Sequence, residues 1–77
     1  MCTDTDRNLK SLATLAQRVQ DFLDDGYWVF INYKDNSLAL VRLRHQNGNI
    51  ITLKLNRQNG KFCQYTNGIL VHEQTLY

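Results

Sequence analysis

The chain has 77 residues, 43% hydrophobic and 21% charged, with nine Lys and Arg against seven Asp and Glu for a formal net charge of +2. That length holds one domain and one core, and a chain of this size buries only about 60% of the surface its unfolded form exposes. The balance excludes a disordered polyelectrolyte and a strongly basic tail, while two cysteines supply neither a disulfide framework nor a metal-ligand spacing.

Residues 1–5, Met1-Cys2-Thr3-Asp4-Thr5, read as a flexible arm. With no cationic start and no apolar run, the arm is not expected to be a signal peptide. No stretch of the sequence is apolar enough to span a bilayer, so the cytoplasm is the expected location.

Residues 6–25 are expected to form an amphipathic helix. Leu9, Leu12, Ala13, Leu15, Ala16, Val19, Phe22 and Leu23 recur at gaps that place them in one half of the helix circumference, with Gln20 as the polar intruder. Thr5 or Asp6 is expected to cap its start, and Gly26 to end it in a left-handed conformation. Asp24 and Asp25 oppose the helix dipole, and the sequence offers no structural reason for them.

Residues 27–73 read as a β-meander of four to five strands. The pairs Asn47-Gly48, Asn59-Gly60 and Asn67-Gly68 separate short runs rich in β-branched and aromatic residues, and such pairs mark hairpin turns because both residue types tolerate positive φ. A slip of one residue moves every side chain to the other face, so the apolar pattern selects a register. Three-residue loops ending in a left-handed Gly48, Gly60 and Gly68 put Leu43 opposite Ile51, Leu55 opposite Cys63, and Tyr65 opposite Ile69. The expected inner face is then Val29, Ile31, Tyr33, Ala39, Val41, Leu43, Ile51, Leu53, Leu55, Cys63, Tyr65, Ile69 and Val71. With the helix laid across that face, the fold class is α+β in two layers. This order is similar in architecture to the cystatin-like and other small α+β inhibitor or adaptor folds; the likeness implies a fold and no function.

The outer face carries the candidate site. Trp28 is expected across from Arg44, Phe30 across from Arg42, and Asn32 across from Leu40, followed by Ile50, Thr52, Lys54 and Asn56, then Phe62 and Gln64, then Leu70 and His72. A solvated sheet face should be mostly polar, whereas this one mixes aromatics, aliphatics and cations. The charge is also divided: residues 1–26 hold three cations and five carboxylates, net −2, and residues 27–77 hold six cations and two carboxylates, net +4. The residues expected to bind are Trp28, Phe30, Leu40, Arg42, Arg44, Ile50 and Lys54.

Catalysis has little to build on. His45 and His72 are expected on opposite faces, and Cys63 is expected to be buried and inert between Leu55 and Val71. Asp24 and Asp25 point about 100° apart and cannot flank a substrate. Every glycine serves a turn or a cap, leaving no phosphate loop. Neither an enzyme nor a cofactor, metal or small-molecule substrate is expected. The expected function is a small protein-binding module, acting as a homodimer or as a regulator or inhibitor of a larger protein. Single-stranded nucleic acid on the same basic, aromatic face is the alternative.

Overall fold

The computed structural model describes residues 4–76 and shows one helix, α1 (Asp4–Asp24), followed by β1 (Trp28–Lys34), β2 (Leu38–Arg44), β3 (Ile50–Asn56), β4 (Lys61–Thr66) and β5 (Ile69–Thr75). The strands form one antiparallel sheet in sequence order. The helix lies on one face of it, so the fold is the α+β meander that the periodicities predict. Thr5 and Asp6 both lie inside α1, and the capping position before Asp4 falls on residue 3, outside the described residues. The other end closes as expected. Gly26 has φ +94°, its N–H donates to Leu23 O (3.1 Å), and the Tyr27 N–H donates to Phe22 O (3.0 Å). That pair of bonds is a Schellman motif, and its usual apolar contact is the Phe22–Tyr27 ring pair at 5.2 Å. Asp21 and Asp24 accept hydrogen bonds from the side-chain amides of Gln17 and Gln20, each one turn earlier.

The core rests on the central hairpin. Ala39, Val41 and Leu43 of β2 and Ile51, Leu53 and Leu55 of β3 are buried, with Leu15 of α1 over them and Leu12, Val19 and Phe22 packed alongside. Leu43 pairs with Ile51, Val41 with Leu53 and Ala39 with Leu55, as expected, across the loop in which Gly48 adopts φ +96°. The expected helix stripe is only partly used: Leu9, Ala13, Ala16 and Leu23 are exposed.

Elsewhere the expected register needs correction, and each correction has a local cause. At the β1–β2 turn, Asp35 N–H donates to Leu38 O (2.8 Å), and the Asp35 carboxylate accepts from Ser37 and Leu38 N–H (2.7 Å each). This carboxylate-braced turn is one residue tighter than the loop Asp35-Asn36-Ser37. A bulge at Phe30 absorbs the difference, so Trp28 still pairs with Arg44 while Ile31 pairs with Arg42, Asn32 with Val41, and Tyr33 with Leu40. Ile31 and Tyr33 therefore leave the inner face, and Asn32 and Lys34 join it.

Between β3 and β4, Asn56 Oδ1 accepts from Gln58 and Asn59 N–H, and the Gly60 N–H donates to Asn56 O (2.8 Å). The loop is one residue longer than expected and every β4 side chain changes face. Leu55 pairs with Phe62, which is fully buried at 0% exposure, and Lys54 pairs with Cys63. Cys63 and Tyr65 thus belong to the outer face, while Phe62 and Gln64 belong to the inner one.

The last turn is a two-residue one, with φ +52° at Asn67 and +85° at Gly68, the signature of type I′. Thr66 pairs with Ile69 and Tyr65 with Leu70; past a second bulge at Val71, Gln64 pairs with His72 and Cys63 with Glu73. His72 is consequently on the inner side, its ring 6.5 Å from that of Phe62. Ile69 and Val71, expected in the core, are exposed.

Candidate protein interface on the open sheet face

The helix-free face is laid out in rows by the strand pairing. One row runs Trp28, Arg44, Ile50; the next Ile31, Arg42, Thr52, Tyr65, Leu70; the third Tyr33, Leu40, Lys54, Cys63, Glu73. All seven expected binding residues, Trp28, Phe30, Leu40, Arg42, Arg44, Ile50 and Lys54, are brought together on this face. Phe30 reaches it from the bulge, with the Arg42 guanidinium 5.5 Å from its ring centroid. Asn32 does not.

Large apolar groups are left in solvent here. Trp28 is 46% exposed, Phe30 43%, Tyr33 49% and Leu70 46%, with Ile31, Leu40 and Ile50 half-buried around them. The aromatics line the β1 side of the face, and Leu70 stands at its β5 side.

The cations fall into two groups. Arg42 is engaged, stacking on Phe30 and donating from Nε to Thr52 Oγ1 at 3.3 Å. Lys61 pairs with Glu73 at 3.1 Å, and the bond to that carboxylate holds the ammonium's pKa above its ordinary value. Arg44 and Lys54 are exposed and make no ion pair or hydrogen bond among the described residues. A shallow depression of about 190 Å³ lies between Lys54, Lys61, Cys63 and Tyr65. Asp35, an acid held by several hydrogen bonds, sits at the rim. Its carboxylate accepts the Tyr33 hydroxyl at 2.6 Å and two backbone N–H groups, and these bonds, the tyrosine's first, lower its pKa.

Tyr33, Ile31, Cys63, Tyr65 and Glu73 are the face residues that sequence reasoning missed. Asp35 held the available signal for Tyr33 and Ile31, because Asp at the first position of a tight turn shortens the loop and so forces the bulge. The histidines stand apart from this face. The Asn47 N–H donates to His45 Nδ1 (3.1 Å), and the His45 ring packs 4.9 Å from Tyr27. His72 Nε2 lies 2.6 Å from Gln74 Oε1 on the helix side. Among the described residues no group of three or more His, Cys, Asp or Glu side chains is arranged to hold a metal ion. Among them, too, no helix is long and apolar enough to cross a membrane. No family model, curated protein sequence or solved structure matches the chain.

Proposed function

We propose that this chain is a non-enzymatic protein-binding module that works through the open face of its sheet. The observation that carries the reading is the exposure of Trp28, Phe30 and Tyr33 together beside Arg44 and Lys54. Aromatic side chains and Arg are the residues that dominate interface energetics, and a contiguous exposed apolar patch on a small domain marks a contact surface.

Charge favours a different protein over a second copy. Stacking two of these faces by a two-fold axis sets two pairs of free cations against each other, whereas a larger partner with carboxylates around an apolar centre pairs them. The edges support use of the face. Both outer strands carry a bulge, which interrupts the ladder that an added strand needs. A regulator or inhibitor docking sheet-first on a larger protein fits these features.

The experiment compares wild type with Trp28→Ala and Arg44→Ala by affinity capture from the native host and by light scattering. Trp28→Ala is expected to cost about 2 kcal/mol or more of association and under about 1 kcal/mol of folding stability, because the indole is half in solvent already. If both folded variants keep every partner and the oligomeric state of the wild type, the face is not the site. Oligonucleotide anisotropy separates the alternative. Binding that falls steeply with salt and is lost in Arg42→Ala/Arg44→Ala assigns the face to single-stranded nucleic acid instead.

A further inference from the structure

On the opposite side of the sheet, we infer that the cleft between α1 and β1 binds a single-chain fatty acid, its alkyl chain among Leu12, Leu15, Val19 and Val41 and its carboxylate at Lys34. The cleft, which is partly open to solvent, offers about 620 Å³, within the range of roughly 300–1,000 Å³ that small-molecule sites occupy. Its lining shares no residue with the open face.

The Phe30 bulge opens this space. With uninterrupted alternation from Val29, Ile31 and Tyr33 point under the helix and fill it. The bulge turns both to the other face and leaves Asn32 and Lys34 on the helix side. The helix contributes the small Ala16 and the amide of Gln20 to the lining, in which Leu12, Leu15, Val19, Val29 and Val41 are aliphatic and Gln20, Asn32 and Lys34 polar. A partly open cleft with aliphatic walls, two side-chain amides and one cation is complementary to an amphipathic anion.

Lys34 is exposed, and among the described residues it makes no ion pair or hydrogen bond and no carboxylate lines the cleft. The neighbouring Asp35 carboxylate is occupied by Tyr33, Ser37 and Leu38. Asp24 and Asp25 lie at the other end of β1, the end at which the strand leaves the helix. Because of the bulge, Val29 to Lys34 lies against only the four steps from Leu43 to Ala39, a span of about 13 Å at ~3.3 Å per residue. An extended alkyl chain advances ~1.3 Å per C–C bond of ~1.5 Å, so about eleven carbons match that length.

Dodecanoate below its micelle concentration is the probe, followed by calorimetry and by amide chemical shifts on the full chain. One saturable site is expected, with shifts in α1 and Val29–Lys34. Decanoate should bind roughly fifteenfold more weakly, from two fewer buried methylenes. Lys34→Glu should weaken dodecanoate about tenfold or more, and Ala16→Phe, at an exposed helix position, should abolish binding while leaving the far-UV spectrum unchanged. Dodecanoate affinity equal in wild type and Lys34→Glu overturns the assignment, as do shifts confined to Trp28, Tyr33 and Leu70, or no saturation. Binding to phosphatidylglycerol vesicles without binding of free dodecanoate also overturns it, in favour of a membrane surface. If Ala16→Phe fails to fold, the Lys34→Glu comparison decides alone.

Discussion

The β2–β3 hairpin and the two edge strands are built from similar residues, yet they solve different problems. In the hairpin, buried and less buried residues alternate without interruption, the loop is the expected one, and Leu43, Leu53 and Leu55 are completely buried at 0% exposure. In β1 and β5 the alternation is broken by a bulge, and hydrophobic residues such as Phe30, Leu70 and Val71 stand in solvent. Burial is concentrated in the centre of the sheet, and the edges are where the chain leaves apolar residues on the surface. A bulged edge resists further strand pairing, so the exposed groups address a partner by their side chains rather than by their backbone.

Core truncation tests this division most severely. Leu53→Ala should cost about 2–5 kcal/mol, since it removes fully buried methyl groups and leaves a cavity. Val71→Ala should change stability by less than about 0.5 kcal/mol, as surface substitutions do. Denaturant midpoints at a common slope give both values. Equal losses at the two positions break the comparison, because they mean that the edge is packed as the centre is.

The same division sets how much was legible from residue order. Alternation over Leu38–Arg44 and Ile50–Asn56 fixes both the faces and the register, because a slip there exposes three aliphatic side chains at once. The helix and its glycine stop were equally plain, and all seven binding residues expected on the outer face are there. The edges were not legible, since a bulge changes a face without changing composition. In β4 the run Lys61-Phe62-Cys63-Gln64-Tyr65 offers an apolar residue to either face, so loop length alone decides, and the Asn56 side chain makes that loop one residue longer. Partial use of the helix stripe was also hidden: Leu9 and Leu23, on the apolar stripe, are left uncovered.

Turn substitutions give the next largest effect and sharpen the comparison at the loops. Gly48 and Gly68 have φ of +96° and +85°, and a Cβ added at either meets nothing within 4 Å. Any loss in Gly48→Val or Gly68→Val is therefore backbone strain, expected at about 1–3 kcal/mol for a β-branched residue forced to positive φ. The first substitution acts on the central hairpin and the second on the β5 edge. If strain alone operates, thermal unfolding should show comparable losses; a loss confined to Gly48→Val means that β5 detaches without unfolding the rest. Hydrogen exchange distinguishes the two, since an edge that opens locally exchanges its amides at the same rate in wild type and in Gly48→Val.

The smallest expected effect concerns the β1–β2 turn, where a single hydrogen bond joins the tight loop to the bulged strand. The Tyr33 hydroxyl donates to the Asp35 carboxylate at 2.6 Å, which lowers the acid's pKa and raises the phenol's. For Asp35, whose folded pKa is depressed, the stabilisation is present above the unfolded carboxylate value and is lost as pH falls through the folded one. For Tyr33, whose folded pKa is raised, it is present below the unfolded phenol value and is lost as pH rises through the folded one. Between those limits this bond adds no pH dependence. Lys61, raised by Glu73, shares the alkaline limb with Tyr33, so the acid limb is the clean readout. In Tyr33→Phe the Asp35 carboxyl, followed by NMR, should titrate closer to the ordinary carboxylate range. It should not reach that range, because the Ser37 and Leu38 N–H groups still hold the ionised form. Both groups are exposed, so the change in the acid limb of stability should be small. If Asp35 titrates identically in wild type and Tyr33→Phe, the turn is braced by its backbone bonds alone, and the bulge follows from loop length without help from the tyrosine.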